Sequence, residues 1–126
     1  MTYYSAPGVK ELNVCPKEFN TEMKKEMATN IIKTVTKFYG GDLFYVSRKT
    51  REEPYPTIVQ MSCYLIQEKV KGLSLKDTSD LFGERYRNKL GKPDHTAIIN
   101  NRKKIQGYLD INDPIAEDYR TLLKMI

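Results

Sequence analysis

Residues 73–83 read Leu73-Ser74-Leu75-Lys76-Asp77-Thr78-Ser79-Asp80-Leu81-Phe82-Gly83, and after a ten-residue connector the chain reads Asp94-His95-Thr96-Ala97-Ile98-Ile99-Asn100-Asn101-Arg102-Lys103-Lys104-Ile105. Two helices are legible here. Ser74 with Asp77 three residues on is a capping-box variant, with Asp where Glu or Gln is usual. Leu75, Thr78, Leu81 and Phe82 follow, and Gly83 stops the helix. Asp94 caps the second, which reaches Leu109. Its inner face is Ile98, Ile105 and Leu109, with Ile99 flanking. Its outer face carries Thr96, Asn100, Lys103 and Gly107. A short apolar helix followed by an amphipathic basic one is the pattern of a helix-turn-helix. In that motif the second helix enters the major groove and its N-terminal side chains meet base edges.

The residues at that N-terminus suit the task. Asp94, His95, Thr96 and Ala97 are compact, so the helix can approach closely. A carboxylate accepts from cytosine N4, and the Thr and Ala methyls can touch a thymine methyl. An imidazole can donate or accept at a base edge. Lys103 and Lys104 lie about two turns further on, within reach of phosphates. Taken singly, each residue has a plainer reading. Asp94 is an N-cap, His95 a surface residue, and Lys103-Lys104 a solvated face. The case rests on the combination.

Outward from this pair the chain continues as helices. Between Thr21 and Tyr39 there is no Gly or Pro, and Met23, Met27, Ile31, Val35 and Phe38 recur at helical spacing, with Ile32 widening the stripe. Gly40-Gly41 ends that helix. Asp42 caps a short one through Leu43, Phe44 and Val46. Residues 47–56 are a polar connection closed by Pro54 and Pro56. Thr57 to Val70 is a further helix with Ile58, Met61, Leu65 and Cys63 as inner residues. Asn112-Asp113-Pro114 opens a last helix carrying Ile115, Tyr119, Leu122, Leu123 and Ile126. The fold class expected is all-α. Residues 1–29 read as an N-terminal extension, a tail or interface arm whose end from Thr21 can begin the first helix. Residues 30–126 read as the domain.

The 126 residues contain 21 Lys and Arg, 16 Asp and Glu, and a formal charge of +5. That surplus is uneven. Residues 81–105 hold seven cations (Arg85, Arg87, Lys89, Lys92, Arg102, Lys103, Lys104) against Glu84 and Asp94. Such clustering is the footprint of phosphate binding. Much other chemistry is excluded. Cys15 and Cys63 lie far apart, and with the single His95 they make no zinc site of standard spacing, so no metal is expected. No G-x-S-x-G, H-E-x-x-H or P-loop occurs, so an enzyme, a nucleotide and a cofactor are not expected. His95 as a general base would have only the adjacent Asp94 to orient it and no nucleophile. With no apolar run of spanning length and no secretory leader, the chain is expected to be cytoplasmic, without a membrane partner.

The stretch Asp94–Ile105 resembles the signature of the C-terminal DNA-binding domain of DnaA, the bacterial replication initiator. The likeness continues through Asn30–Val35 with Phe38-Tyr39, Gln60–Leu65, Leu73-Ser74-Leu75 with Leu81-Phe82-Gly83, and Asp118-Tyr119 with Leu122-Leu123. It covers residues 30–126 in order. The resemblance implies a Trp-repressor-like helical domain that binds a short asymmetric box on double-stranded DNA. Asp94, His95, Thr96 and Ala97 would read bases. A basic loop, here Arg48, Lys49 and Arg51, would reach the adjacent minor groove, with Arg51 the candidate for insertion. Arg85, Arg87, Lys89, Lys92, Asn100, Lys103 and Lys104 would contact phosphates.

Departures are equally plain. Ala97 stands where a second Thr is common, and Val59 where a basic residue is common. Thr78 and Ser79 replace an apolar residue and a glycine. The connector 84–93 is about eight residues longer than the family's tight turn. No ATPase module accompanies the domain, so the expectation is a DNA-binding regulatory or accessory factor in replication or a mobile element. The alternative is a protein-interaction module that kept the fold and lost site recognition, with residues 1–29 (Tyr3, Tyr4, Phe19) meeting a protein partner or a second copy.

Overall fold

The central helix is more deeply buried than its 3.6-residue period suggests. In the computed structural model, which describes residues 20–87 and 89–126, α3 (Tyr55–Lys69) buries Ile58, Val59, Met61, Ser62, Cys63, Tyr64, Leu65 and Ile66. The period singles out Ile58, Met61, Leu65 and Cys63. The others are covered because α1 (Thr21–Phe38) packs on one side of α3 and α5 (His95–Asp110) on the other. Val59, expected as the site of a missing DNA contact, is fully buried and packs in the core. The helix also starts two residues before the expected Thr57. Pro56 lies in its first turn, where a missing N–H leaves no hydrogen bond unmade.

The other helices are set by their caps. Asn20 accepts from the Met23 N–H at 2.9 Å and opens α1. Its buried stripe is Ala28, Ile31, Ile32, Val35 and Thr36. Met23, expected inside, lies at the rim, 44% exposed. Because α1 is continuous from Thr21, residues 21–29 belong to the first helix. Asp42 accepts from Phe44 N–H and opens α2 (Leu43–Val46). Asp113 accepts from Ile115 N–H and opens α6 (Pro114–Met125), which buries Ala116 and Leu122. A Tyr39 hydroxyl bond to Asp118 at 2.8 Å fastens α1 to α6.

The short helix departs most from expectation. Ser74 caps it as read, accepting from the Asp77 N–H at 3.0 Å, but α4 spans only Leu75–Asp80. Leu81 and Phe82 leave the helix because Phe82 turns fully into the core. Gly83 takes φ +57, which a side chain would resist. A 3-10 turn, Gly83–Tyr86, follows. The described chain is therefore all-α, with one isolated backbone bridge between Arg87 and Pro93. None of its helices is long and apolar enough to cross a membrane. The interface arm with Tyr3, Tyr4 and Phe19, and Cys15, lie outside the described residues.

Cys63 gives this core a pH signature. Burial pushes its thiol up to about 12, against the modest opposing effects of Asn101 and Arg102. The folded state holds the neutral thiol, while the unfolded chain ionises near the ordinary 9.0. The stability linked to Cys63 is thus complete below about pH 9 and is lost as pH climbs from there toward the folded value. Burial acts in the same direction on Tyr39 and Tyr86. Urea midpoints should fall between about pH 8.5 and about pH 10.5, and Cys63→Ala should show a shallower fall. Equal slopes for the two proteins would rule out this account of Cys63.

Candidate nucleic-acid interface

α5 presents the expected two faces. Ile98 and Ile105 are fully buried against α3, and Leu109 is half-buried. Thr96, Asn100, Lys103 and Gly107 are all exposed on the opposite side, with His95, Ile99 and Lys104 beside them. Gly107 has open space where a Cβ would stand. No acidic residue occurs from His95 to Leu109. Sixteen residues make a rod about 24 Å long. Asp94 performs the plainer of its two roles: its carboxylate accepts from the Ala97 N–H at 3.2 Å and caps the helix, leaving its second oxygen at the helix start. Asp94 and Ala97 are half-buried, so of the four expected base readers His95 and Thr96 are the exposed pair.

The connector is not a slack loop. The Tyr86 carbonyl accepts from the Ser79 hydroxyl at 3.0 Å and from the Asp94 N–H at 2.8 Å. One acceptor therefore joins α4 to the first residue of α5's cap. The Tyr86 ring packs edge-on against Phe82, with centroids 5.6 Å apart, and its hydroxyl pairs with the Asn101 amide on α5. Asn101 also donates toward the Cys63 sulfur at 3.8 Å. Ser79 and Thr78 thus have uses of their own. Thr78 returns its hydroxyl to the Ser74 carbonyl at 2.8 Å, and Ser79 holds the connector.

The basic loop and the connector are stitched together by pairs of residues 35 to 38 positions apart in sequence. Arg85 donates to the carbonyls of Arg48 and Thr50, the latter at 2.9 Å. Lys49 donates to the Arg87 carbonyl at 2.7 Å. Arg48 pairs with Glu84 at 3.2 Å and lies over the Phe44 ring, 4.4 Å from its centre. Arg87 approaches Asp80 at 2.9 Å, off the axis of an aligned hydrogen bond, and donates to Gly91 O at 3.2 Å.

Arg85 and Arg87, expected along phosphates, thus both bond within the protein. In each, two guanidinium nitrogens are turned to partners within the protein, which braces a connector longer than a tight turn. Arg51, Lys89, Lys103 and Lys104 are exposed and make no side-chain bond or ion pair with another described residue. Lys92 is exposed as well.

Sequence reasoning missed Tyr86, Asn101 and Arg102. Arg102 is half-buried, donates to the Cys63 carbonyl at 3.4 Å, and has its pKa lowered by that burial. An aromatic residue inside an otherwise basic connector is the one signal that could have pointed to Tyr86. No family model matches the chain, and no solved structure matches it.

The Tyr86 junction predicts specific losses. Tyr86→Phe removes the Asn101 bond and should cost about 1 kcal/mol. Ser79→Ala removes one of the two bonds to the Tyr86 carbonyl and should cost a similar amount, about 1 kcal/mol. Urea denaturation reads both as lowered midpoints with unchanged slope. A neutral Ser79→Ala would show that α4 is held by other contacts.

Proposed function

We propose that this protein binds double-stranded DNA site-specifically through α4 and α5 acting as a helix-turn-helix, in the manner of the DnaA C-terminal domain. One observation carries the reading. The whole outer stripe of α5, from Thr96 through Asn100 and Lys103 to Gly107, is exposed and free of acidic residues. The likeness of Asp94-His95-Thr96 and Lys103-Lys104-Ile105 to the family signature adds support, as does the placing of the basic loop beside the connector. In this arrangement His95 and Thr96 read base edges, Ala97 offers a methyl, and Lys103 and Lys104 take phosphates. Arg51 enters the neighbouring minor groove, whose narrow A·T form attracts arginine. The role is that of a regulatory or accessory factor in replication or a mobile element. No step of it is catalytic.

A second reading has its own observation. Leu43, Phe44 and Tyr45 are exposed in a row on α2 (44%, 55% and 47%). An open cleft of about 540 Å³ also lies between α1 and α6, lined by Met27, Ile31, Leu123 and Ile126 among others. Either surface suits a protein partner.

Selection from a random duplex library at two salt concentrations separates the readings. The DNA reading expects one enriched motif. Affinity should fall with salt by about 0.9 log–log units per phosphate contact. His95→Ala and Thr96→Ala should each relax preference at one position by about 1–3 kcal/mol. Lys103→Ala should weaken all sequences alike and reduce the slope by about one unit. No enriched motif, with a protein partner retained at high salt, would favour the second reading.

A further inference from the structure

One half-buried cation of α5 has no counter-charge. Arg102 lines an open cleft of about 270 Å³ between α3 and α5, together with Tyr64, Gln67, Ile99, Lys103 and Gln106. Burial opposes its charge and lowers its pKa. A charge taken out of water is ordinarily paired. Arg48 faces Glu84 and Arg87 faces Asp80. Among the described residues, no ion pair includes Arg102 or the neighbouring Lys103. The two acids that border the cleft are turned elsewhere. Asp110 accepts from the Gln106 amide at 3.0 Å, and Glu68 from the Tyr119 hydroxyl at 3.4 Å. Asp110 also stands about two turns of α5 beyond Arg102, about 12 Å along the axis.

The Arg102 side chain is also fixed in place. Its Nε donates to the Cys63 carbonyl of α3 at 3.4 Å, and its two terminal nitrogens bond no other described residue. Those nitrogens are part of the fork that matches the oxygens of a phosphate. Gln106 is occupied, since its Oε1 accepts from the Tyr64 hydroxyl at 2.7 Å and its amide is given to Asp110. Gln67 of α3 is exposed, and its amide makes no bond with another described residue. Lys103 brings a second exposed charge from α5.

We infer that the cleft between α3 and α5 is a phosphate site, with Arg102 as its anchor, Lys103 as its second charge and Gln67 as a neutral donor. Donors from two helices approach from different directions, which suits a tetrahedral oxyanion better than a planar carboxylate. The cleft flanks the exposed stripe of α5. A backbone phosphate of a duplex docked on that stripe has the required chemistry, and so has the phosphate group of a small molecule. In the first case α3 joins the interface, and Arg102 fixes how far α5 sinks into the groove. The site does not depend on the base-reading roles of His95 and Thr96.

The test titrates the full chain, isotope-labelled for nitrogen NMR, with inorganic phosphate, and separately with chloride at the same ionic strength. The Arg102 Nε–H signal should move and saturate in the millimolar range with phosphate and stay in place with chloride. The Arg85 signal, from a side chain braced on the Arg48 and Thr50 carbonyls, should not move. Arg102→Gln puts an amide nitrogen where Nε stood, so the Cys63 bond can persist while the fork and its charge are lost. Read at the Lys103 backbone N–H, it should weaken phosphate binding by about tenfold. Gln67→Glu places a carboxylate beside Arg102 and should weaken it at least as much. Gln67 is exposed, so this variant should retain the wild-type helical circular dichroism. The selected duplex then separates the two sources. A loss of about 0.9 from the salt slope in Arg102→Gln assigns the site to a backbone phosphate. An unchanged slope assigns it to a small phosphorylated ligand. No saturable shift, an equal shift with chloride, or full phosphate binding by both variants would overturn the site and leave the α5 reading standing. A saturable shift in a protein that enriches no duplex would keep the site and overturn the DNA reading.

Discussion

One carbonyl oxygen sets the geometry on which the candidate interface depends. Tyr86 O accepts from Ser79 on α4 and from the backbone of Asp94 at the mouth of α5. In a two-helix DNA-reading motif the angle between the helices is ordinarily imposed by a short covalent turn. Here ten residues separate Gly83 from Asp94, and covalent connection fixes little. The Tyr86 junction does the work instead. Its carbonyl pins the two helices, its ring is seated on buried Phe82, and its hydroxyl reaches forward to Asn101 two turns into α5. The mouth of α5 and its second turn are both tied to this one residue, while Ile98 and Ile105 seat the helix in the core.

This junction explains how the cations divide. Arginine has a planar fork of directed donors and suits bracing; lysine is a flexible point charge that suits a solvated phosphate. The cations of the basic loop, the connector and α5 largely follow that division. Arg48, Arg85, Arg87 and Arg102 all bond within the protein. Lys89, Lys103 and Lys104 face solvent. Arg51 is the exception on one side, exposed at the loop expected to enter a minor groove, where a guanidinium is favoured. Lys49 is the exception on the other, held by the Arg87 carbonyl. The formal surplus in residues 81–105 therefore overstates the free positive surface of the connector and describes that of α5 fairly.

What was legible in the sequence follows from the range of the forces involved. Caps are local: Asp42, Ser74, Asp94 and Asp113 were each readable, because an N-cap bonds two or three residues ahead. The two faces of α5 were readable because one face packs and the other does not. α3 was only half readable, since a helix covered on several sides shows no clean stripe. The end of α4 was not readable. Leu81 and Phe82 continue its apolar pattern, and only the tertiary pull of the core on Phe82 takes them out of the helix. The Tyr86 hub and the stitching of Arg85 to the basic loop were beyond reach. They join residues 7 to 37 positions apart through backbone carbonyls, which carry no sequence signal.

The energetics of the long connector are compatible with a fixed placing of α5. Lengthening a loop is inexpensive, about 0.6 kcal/mol for each doubling. Two hydrogen bonds to the Tyr86 carbonyl, each contributing about 1 kcal/mol, offset that cost. The base of the connector is closed by Arg87 and Pro93, and Gly91 turns the chain beyond it at φ +75. The mouth of α5 is therefore held by the junction at Tyr86 rather than by the length of the covalent path, so the connector can be long without loosening the helix that it precedes.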